Sequence, residues 1–197
     1  MFWIFVLFII NCINIFFCLG YMNPIIKNSF FDFFHLKNEL TDQEKTAYHE
    51  AGHTFFALAY PKIFDLKYVT IKPKGISKGR TVFNLINNDI SRNWKERLLC
   101  DLGGTSVELW LYENNKIKEE QVGEGSKSDY LKAKKVLRAK GFNNLQKELD
   151  FYLIQGKKII YKNKEIIEKI YQELLSKTTL NKEDLYKIKN NKNFILD

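Results

Sequence analysis

Histidine, cysteine and proline occur only three times each in this 197-residue sequence. Cys12, Cys18 and Cys100 form no C-x-x-C pair and are odd in number, which argues against a disulfide scaffold and a cysteine-rich structural zinc site. The stretch GISKGRT does not match the phosphate-binding pattern G-x-x-x-x-G-K-S/T, and we find no other nucleotide-binding or nucleic-acid-binding motif. Although the formal net charge is +8, the lysines scattered through residues 132–192 are typical of solvated helix faces, and we predict no nucleic-acid partner.

Residues 1–22, MFWIFVLFIINCINIFFCLGYM, contain no charged side chain, and about twenty such residues are enough to cross a bilayer as a helix. We interpret them as an N-terminal hydrophobic helix that serves as a single-pass membrane anchor. A cleaved signal or targeting peptide is one alternative, but the segment has neither a basic start nor a good small-residue cleavage site. A buried helix of a soluble protein is the other.

The residues that follow this segment indicate its orientation. Lys27 and Lys37 come shortly after it, so the positive-inside tendency places the body of the protein on the cytoplasmic or an equivalent side. We assign residues 23–39 to a linker and residues 40–190 to one domain, which is long enough to bury a core of its own.

Two of the three histidines lie four residues apart in TAYHEAGHTFFALAY, residues 46–60. Four residues span about 400° of an α-helix, so His49 and His53 project from one face, where two imidazoles can bind one ion. Glu50 lies about 100° around the helix from His49 and can reach a water on that ion without binding the ion itself. This is the H-E-x-x-H arrangement of zinc hydrolases. The alternative is a helix with two surface or core-edge histidines.

The segment that carries this motif has clear helix signals. Thr41, followed three residues later by Glu44, is a capping-box pattern, and Pro61 ends the helical pattern. These signals predict a helix from about residue 41 to residue 60. Gly52 inside it costs about 1 kcal/mol relative to alanine, so we expect another part of the chain to pack closely against its backbone.

The rest of the sequence predicts a mainly α fold of the α+β class. Alternation in residues 67–72 and 81–84 indicates a small β-hairpin, with Gly75 and Gly79 in its turn. Helical periodicity covers residues 94–112, 128–139, 143–156 or beyond, 164–176 and 182–188.

A catalytic zinc site usually has three protein ligands and an open position for water. His49 and His53 supply two of them. Residue spacing alone leaves the third ligand open among His35, Glu108, Glu119, Glu120, Glu124 and Asp129. Two of these candidates are also suited to other roles: Asp129 to cap the helix that follows it, and His35 to a solvated or membrane-interface position.

Four stretches, in order along the chain, resemble the peptidase domain of the FtsH-type membrane-anchored AAA zinc metalloproteases. They are Tyr48-HEAGH-Thr54, Val69 to Gly79, Leu102-Gly-Gly104 with Glu108, and Gly125-Ser-Lys-Ser-Asp129 with Ala133. A closing stretch over residues 174–185 is also similar, so the resemblance covers roughly residues 40–188. It implies a helical, zincin-like metallopeptidase fold, Zn²⁺ as the cofactor, Asp129 as the third metal ligand and assembly as hexamers.

Two features depart from the family's pattern. The family carries an ATP-driven unfoldase between anchor and peptidase, whereas residues 23–39 alone separate the two predicted segments here. We therefore expect this chain to lack its own ATPase, and either to cleave flexible or unfolded polypeptides or to work with an ATPase partner in trans. Lys127 and Ser128 stand beside Asp129 where the family tends to have small or amide residues, so we expect an altered environment for the metal.

Taken together, these residues predict a zinc-dependent endopeptidase. A metal-activated water attacks the scissile carbonyl, and Glu50 acts as the general base that takes the proton and returns it to the leaving amine. Two alternatives stay open. One is a catalytically idle, membrane-anchored relative that binds or scaffolds partners, and the other is an unrelated zinc protease that shares only the five-residue motif.

Overall fold

The structure, a computed structural model, describes residues 39–86, 90–190 and 193–196. The predicted membrane anchor, most of the predicted linker and His35 lie outside these residues. Within them, no helix is both long enough and apolar enough to cross a membrane. Residues Leu40–Asp197 form one compact unit, which contains every helix and strand of the described part of the chain.

Helix α1, Asp42–Ala59, carries the histidine pair and begins and ends as the sequence predicts. The Thr41 hydroxyl accepts a hydrogen bond from the Glu44 backbone N–H, and the Glu44 carboxylate accepts one from the Thr41 backbone N–H. This reciprocal pair satisfies two backbone donors that the first helical turn leaves free. The backbone N–H of Tyr60 closes the last turn on the Phe56 carbonyl, and Pro61 follows directly.

A three-stranded antiparallel sheet has the order β2-β1-β3. Strands β1, Phe64–Thr70, and β2, Arg80–Leu85, form the predicted hairpin, with a register irregularity between Leu66 and Tyr68. Strand β3, Thr179–Asn181, pairs with the other edge of β1. The sequence analysis did not predict β3, because three residues are too few to display the alternation that marks a strand.

Six further α-helices complete the described part of the chain, and the predicted mainly α fold with a small sheet is confirmed. Helix α1 lies at the centre of this arrangement and packs against the sheet and several of the other helices. Its buried face includes Ala47, Ala51 and Phe55, each with no exposed surface. The further helices are α2 (Ile90–Asp101), α3 (Gly103–Glu113), α4 (Lys127–Ala139), α5 (Leu145–Lys162), α6 (Lys164–Lys177) and α7 (Lys182–Asn190), with a short 3₁₀ helix at Glu119–Gln121.

The helix predicted over residues 94–112 is two helices, α2 and α3, divided at Leu102. At the start of α3 the backbone of Gly103 lies against that of Gly52 on α1, and a Cβ on Gly52 would lie 2.6 Å from the Gly103 carbonyl carbon. Only glycine permits so close an approach of two helices. The close packing expected at Gly52 is thus confirmed, and it brings α3 beside the histidine pair.

Candidate metal centre

Side chains from two helices converge beside the middle of α1. The Nε2 atoms of His49 and His53, one helical turn apart, lie 3.0 Å from each other. Asp129, in the first turn of α4, places its Oδ2 atom 3.5 Å from each of these nitrogens. The structure therefore brings together the three residues that we predicted as metal ligands.

The three side chains fit a zinc ion. Tetrahedral Zn²⁺ with ligands at about 2.0–2.2 Å has ligand atoms roughly 3.3–3.6 Å apart. The three observed separations, 3.0, 3.5 and 3.5 Å, are close to that spacing. Two imidazole nitrogens and one carboxylate oxygen are also a donor set that catalytic zinc takes. Among the described residues, these three are the only group of histidine, cysteine and acidic side chains close enough to share an ion.

The outer nitrogen of each ring is held by a hydrogen bond. Nδ1 of His49 lies 2.7 Å from Oε1 of Glu108, and Nδ1 of His53 lies 2.7 Å from the backbone carbonyl oxygen of Cys100. Because carboxylate and carbonyl oxygens only accept, each Nδ1 donates its proton. Nε2 is then the atom that each ring offers to an ion, and the orientation of the ring is fixed.

Residue spacing left Glu108 open as a third ligand. In the structure it instead accepts the hydrogen bond from Nδ1 of His49, on the side of the ring away from the cluster. It is buried on α3, and its second oxygen accepts a hydrogen bond of 2.7 Å from the Gly123 backbone N–H. Next to it, Gly104 leaves room for the ring, since a Cβ there would lie 2.6 Å from Nδ1 of His49. No sequence pattern indicated either role, because both depend on the contact between α1 and α3.

The charges of the cluster are strongly coupled in the absence of a metal. Burial lowers the pKa of His49, but hydrogen bonds with Asp129 and Glu108 outweigh burial and raise that pKa to about 10. Burial raises the pKa of Asp129, yet the two imidazoles and Lys132 together hold it far below its ordinary range. The protonated His49 ring and the ionised Asp129 carboxylate therefore stabilise each other, and a divalent cation would take the place of the proton between them.

Glu50 lies beside the cluster, buried between α1 and the hairpin. One oxygen of its carboxylate accepts a hydrogen bond of 2.7 Å from the Thr81 hydroxyl, at the start of β2. Gly79 also packs on Glu50, and a Cβ on that glycine would lie 2.8 Å from Cγ of Glu50. The hairpin thus fixes the position of this carboxylate, which the sequence analysis did not foresee.

A cleft of about 340 Å³ opens over these residues. His49, His53, Glu50 and Asp129 line it together with the hairpin turn from Ile76 to Thr81. Asp101 also lines the cleft, and burial raises its pKa to about 6, with the neighbouring Lys132 opposing that shift. The candidate ligands and the candidate base are therefore reached from one opening.

The lysine that contacts Asp129 is not the one that the sequence suggested. Lys127 is exposed, whereas Nζ of Lys132, one turn along α4, lies 2.9 Å from Oδ1 of Asp129. Asp129 does not occupy the N-cap position of α4, which belongs to Ser126. The other candidate acids, Glu119, Glu120 and Glu124, are exposed and lie outside the three-residue cluster.

The chain is similar to proteins of one known peptidase family. The family model described as Peptidase family M41 matches residues 38–141. The chain is 28% identical over 185 residues to a Phytoplasma mali protein named ATP-dependent zinc metalloprotease FtsH 2, a match that covers 76% of this chain and 26% of that protein. It is 34% identical over 106 residues to ATP-dependent zinc metalloprotease FtsH of Chloroflexus aggregans, which covers 51% of this chain and 15% of that protein. The matched segments thus span about a quarter or less of these relatives.

Proposed function

Because the chain belongs to peptidase family M41, we propose that it is a zinc-dependent endopeptidase of the H-E-x-x-H type. The observation that carries this proposal is the convergence of His49, His53 and Asp129, with the buried carboxylate of Glu50 in the same cleft. A catalytic zinc site needs three protein ligands and an open side, and the cleft supplies the open side.

In this proposal three side chains bind the ion, and neighbouring groups keep two of those side chains in position. Nε2 of His49, Nε2 of His53 and Oδ2 of Asp129 would hold Zn²⁺. Glu108 and the Cys100 carbonyl keep the two rings in place, as their hydrogen bonds of 2.7 Å support. When bound, Zn²⁺ supplies Lewis-acid chemistry, since it polarises a carbonyl and acidifies water.

Glu50 carries the proton in the proposed reaction. Its carboxylate takes a proton from the attacking water and delivers it to the nitrogen of the leaving amine, as a general base and then a general acid. Thr81 donates a hydrogen bond to one oxygen of Glu50, which leaves the other oxygen to accept the proton. Burial of Glu50 excludes bulk water from that exchange.

The substrate is an extended polypeptide. Among the described strands, β2 pairs with β1 along one edge only, and Thr81 and Phe83 of β2 line the cleft. An extended chain can hydrogen-bond along the free edge of such a strand, which places a peptide bond across the site. A segment packed inside a folded domain is not free to pair in this way, so we propose flexible or unfolded polypeptides as substrates.

Further proposals concern the surroundings of this domain. The relatives are named as ATP-dependent, and we propose that ATP-driven unfolding reaches this peptidase through an ATPase partner in trans. From the family resemblance we also propose self-association as hexamers. We also propose that residues 1–22 anchor the domain to a membrane, with the peptidase on the cytoplasmic or equivalent side. Residues 1–22 lie outside the described residues.

The test uses the full chain in detergent, with zinc content and casein cleavage as its two readouts. Glu50→Gln should keep one equivalent of zinc and lose about 100-fold or more in cleavage rate, because general-base catalysis contributes about 10²–10⁴. Glu120→Gln removes the same charge at an exposed position outside the cluster and should change neither readout. His53→Ala should lose the metal. Cleavage that persists in Glu50→Gln would refute the proposed base, and zinc retained by His53→Ala would refute the proposed ligands.

A further inference from the structure

Lys132 places a positive charge directly on the carboxylate that faces the histidine pair. Its Nζ atom lies 2.9 Å from Oδ1 of Asp129, while Oδ2 of the same carboxylate lies 3.5 Å from each imidazole Nε2. The Ser128 hydroxyl is also directed at Oδ1, at 3.4 Å. The two oxygens of Asp129 are thus divided, one facing the lysine and the other facing the cluster.

The ammonium group of Lys132 is held beside Asp129 although much of the lysine side chain is exposed to solvent. Asp101 lines the same cleft and interacts electrostatically with Lys132, as Asp129 does. Two carboxylates therefore attract the ammonium group toward the cluster. Since Lys132 and Asp129 are three residues apart on α4, the helix itself keeps the two side chains side by side.

A positive charge beside a ligand carboxylate opposes cation binding, because it repels the divalent ion. The attraction between Lys132 and the Asp129 carboxylate persists when Oδ2 binds a cation, since the lysine contacts the other oxygen, Oδ1, so this attraction does not offset the repulsion. The hydrogen bond from Lys132 also orients Asp129, which favours binding. Burial of Asp129 in the first turn of α4 restricts its orientation as well, so we take the repulsion as the larger effect.

We infer that the charge of Lys132, held against Oδ1 of Asp129, weakens the binding of the metal at this site. The native chain consequently binds Zn²⁺ more weakly, and releases it faster, than the same site without that charge. This inference rests on the proposed role of Asp129 as a metal ligand. It assigns to Lys132 a tuning of metal affinity, and no contact with the substrate.

The experiment measures zinc affinity of the full chain by competition with a chromophoric chelator at low salt, and the zinc off-rate by transfer to excess chelator. Lys132→Gln and Lys132→Met both remove the charge and should bind zinc about tenfold or more tightly than the native chain, with a slower off-rate. Lys132→Arg keeps the charge and should stay within about threefold of the native affinity. Lys135→Gln removes an equal charge from an exposed position of α4 and should change the affinity less than about twofold.

Unchanged or weaker zinc binding in both neutral variants would overturn the inference. So would an equal gain in Lys135→Gln, because the effect would then belong to the net charge of the chain. Asp129→Asn separates this failure from a failure of the proposed function. If Asp129→Asn binds zinc as well as the native chain does, the proposed ligand set is wrong. If it loses zinc while the neutral Lys132 variants match the native chain, the ligand set stands and the role of Lys132 is refuted.

Discussion

Glu108 on α3 and His49 on α1 are joined by a hydrogen bond of 2.7 Å between Oε1 and Nδ1, although 59 positions separate them in the sequence. The bond ties the first proposed ligand to a different helix. The other oxygen of Glu108 is itself held by the Gly123 backbone N–H, so the carboxylate has little freedom to move. The position of the His49 ring therefore depends on the contact between α1 and α3.

Removal of the Glu108 carboxylate should weaken zinc binding without abolishing it. Glu108→Ala should lower zinc affinity about 10–100-fold, because the ring of His49 loses the group that orients it. Glu108→Gln, which can still accept from Nδ1, should lie between this variant and the native chain. Chelator competition measures both, and native affinity in Glu108→Ala would show that His49 needs no support from α3.

The hydroxyl of Thr81 should matter for catalysis but not for the metal. Thr81→Val removes the donor to Glu50 while keeping the shape of the side chain, and a hydrogen bond to a charged group contributes about 1.5–3 kcal/mol. We expect kcat for a fluorogenic peptide to fall about tenfold, with KM and zinc content unchanged. Thr81→Ser restores the hydroxyl and should restore kcat. A drop of equal size in both variants would point to packing instead of this bond.

The contact between Gly52 and Gly103 should tolerate no side chain. A Cβ on Gly52 meets backbone atoms of Gly103, which cannot move without shifting α3, so Gly52→Ala should lower the free energy of unfolding by about 3 kcal/mol or more. Gly156→Ala offers a comparison, because its Cβ would meet the side chain of Ser106, both at the rotatable hydroxyl and at 3.1 Å from Cβ, instead of backbone atoms, and should cost less, about 1–2 kcal/mol. Urea unfolding of the metal-free chain measures both. Similar losses in the two variants would contradict this account.

Asp101 should make stability depend on pH in a defined direction. Burial raises its folded-state pKa to about 6 from an ordinary 3.8, with Asp129 raising it further and Lys132, His53 and Arg97 opposing the shift. Its contribution to stability is thus fully present below the ordinary pKa and is lost as the pH rises to about 6. Replacement by asparagine should therefore raise the free energy of unfolding of the metal-free chain by up to about 3 kcal/mol at pH 8, and by far less at pH 4.

Chemical denaturation of the native chain and Asp101→Asn across this pH range measures the difference. A gain of the same size at pH 4 and at pH 8 would assign the effect to packing. A loss at pH 8 would show that the attraction between the Asp101 carboxylate and Lys132 outweighs the cost of burying that carboxylate.

Patterns within short stretches of sequence predicted the helix and the strands whose formation depends on residues close together in the chain. The capping box at Thr41 and the stop at Pro61 placed α1 correctly, and alternation placed the hairpin. Spacing alone put His49 and His53 on one face of α1, because the α-helix has a fixed rotation per residue. The division of the predicted helix at Leu102 was missed, since two glycines weaken a helical pattern in the same way whether the helix continues or ends there.

The sequence by itself determined which helix carries the two imidazoles and which carboxylate adjoins them, because both follow from the period of a helix. Residue spacing left the acid of the cluster open, and Asp129 was implied by the family resemblance. Only the tertiary structure decided that Asp129 lies against the two rings, that Glu108 supports one of them, and that Lys132 and Thr81 contact the carboxylates of Asp129 and Glu50. These contacts join residues far apart in the chain or choose among several side chains of one helix. They depend on how closely α1, α3, α4 and the hairpin pack, which no local pattern records.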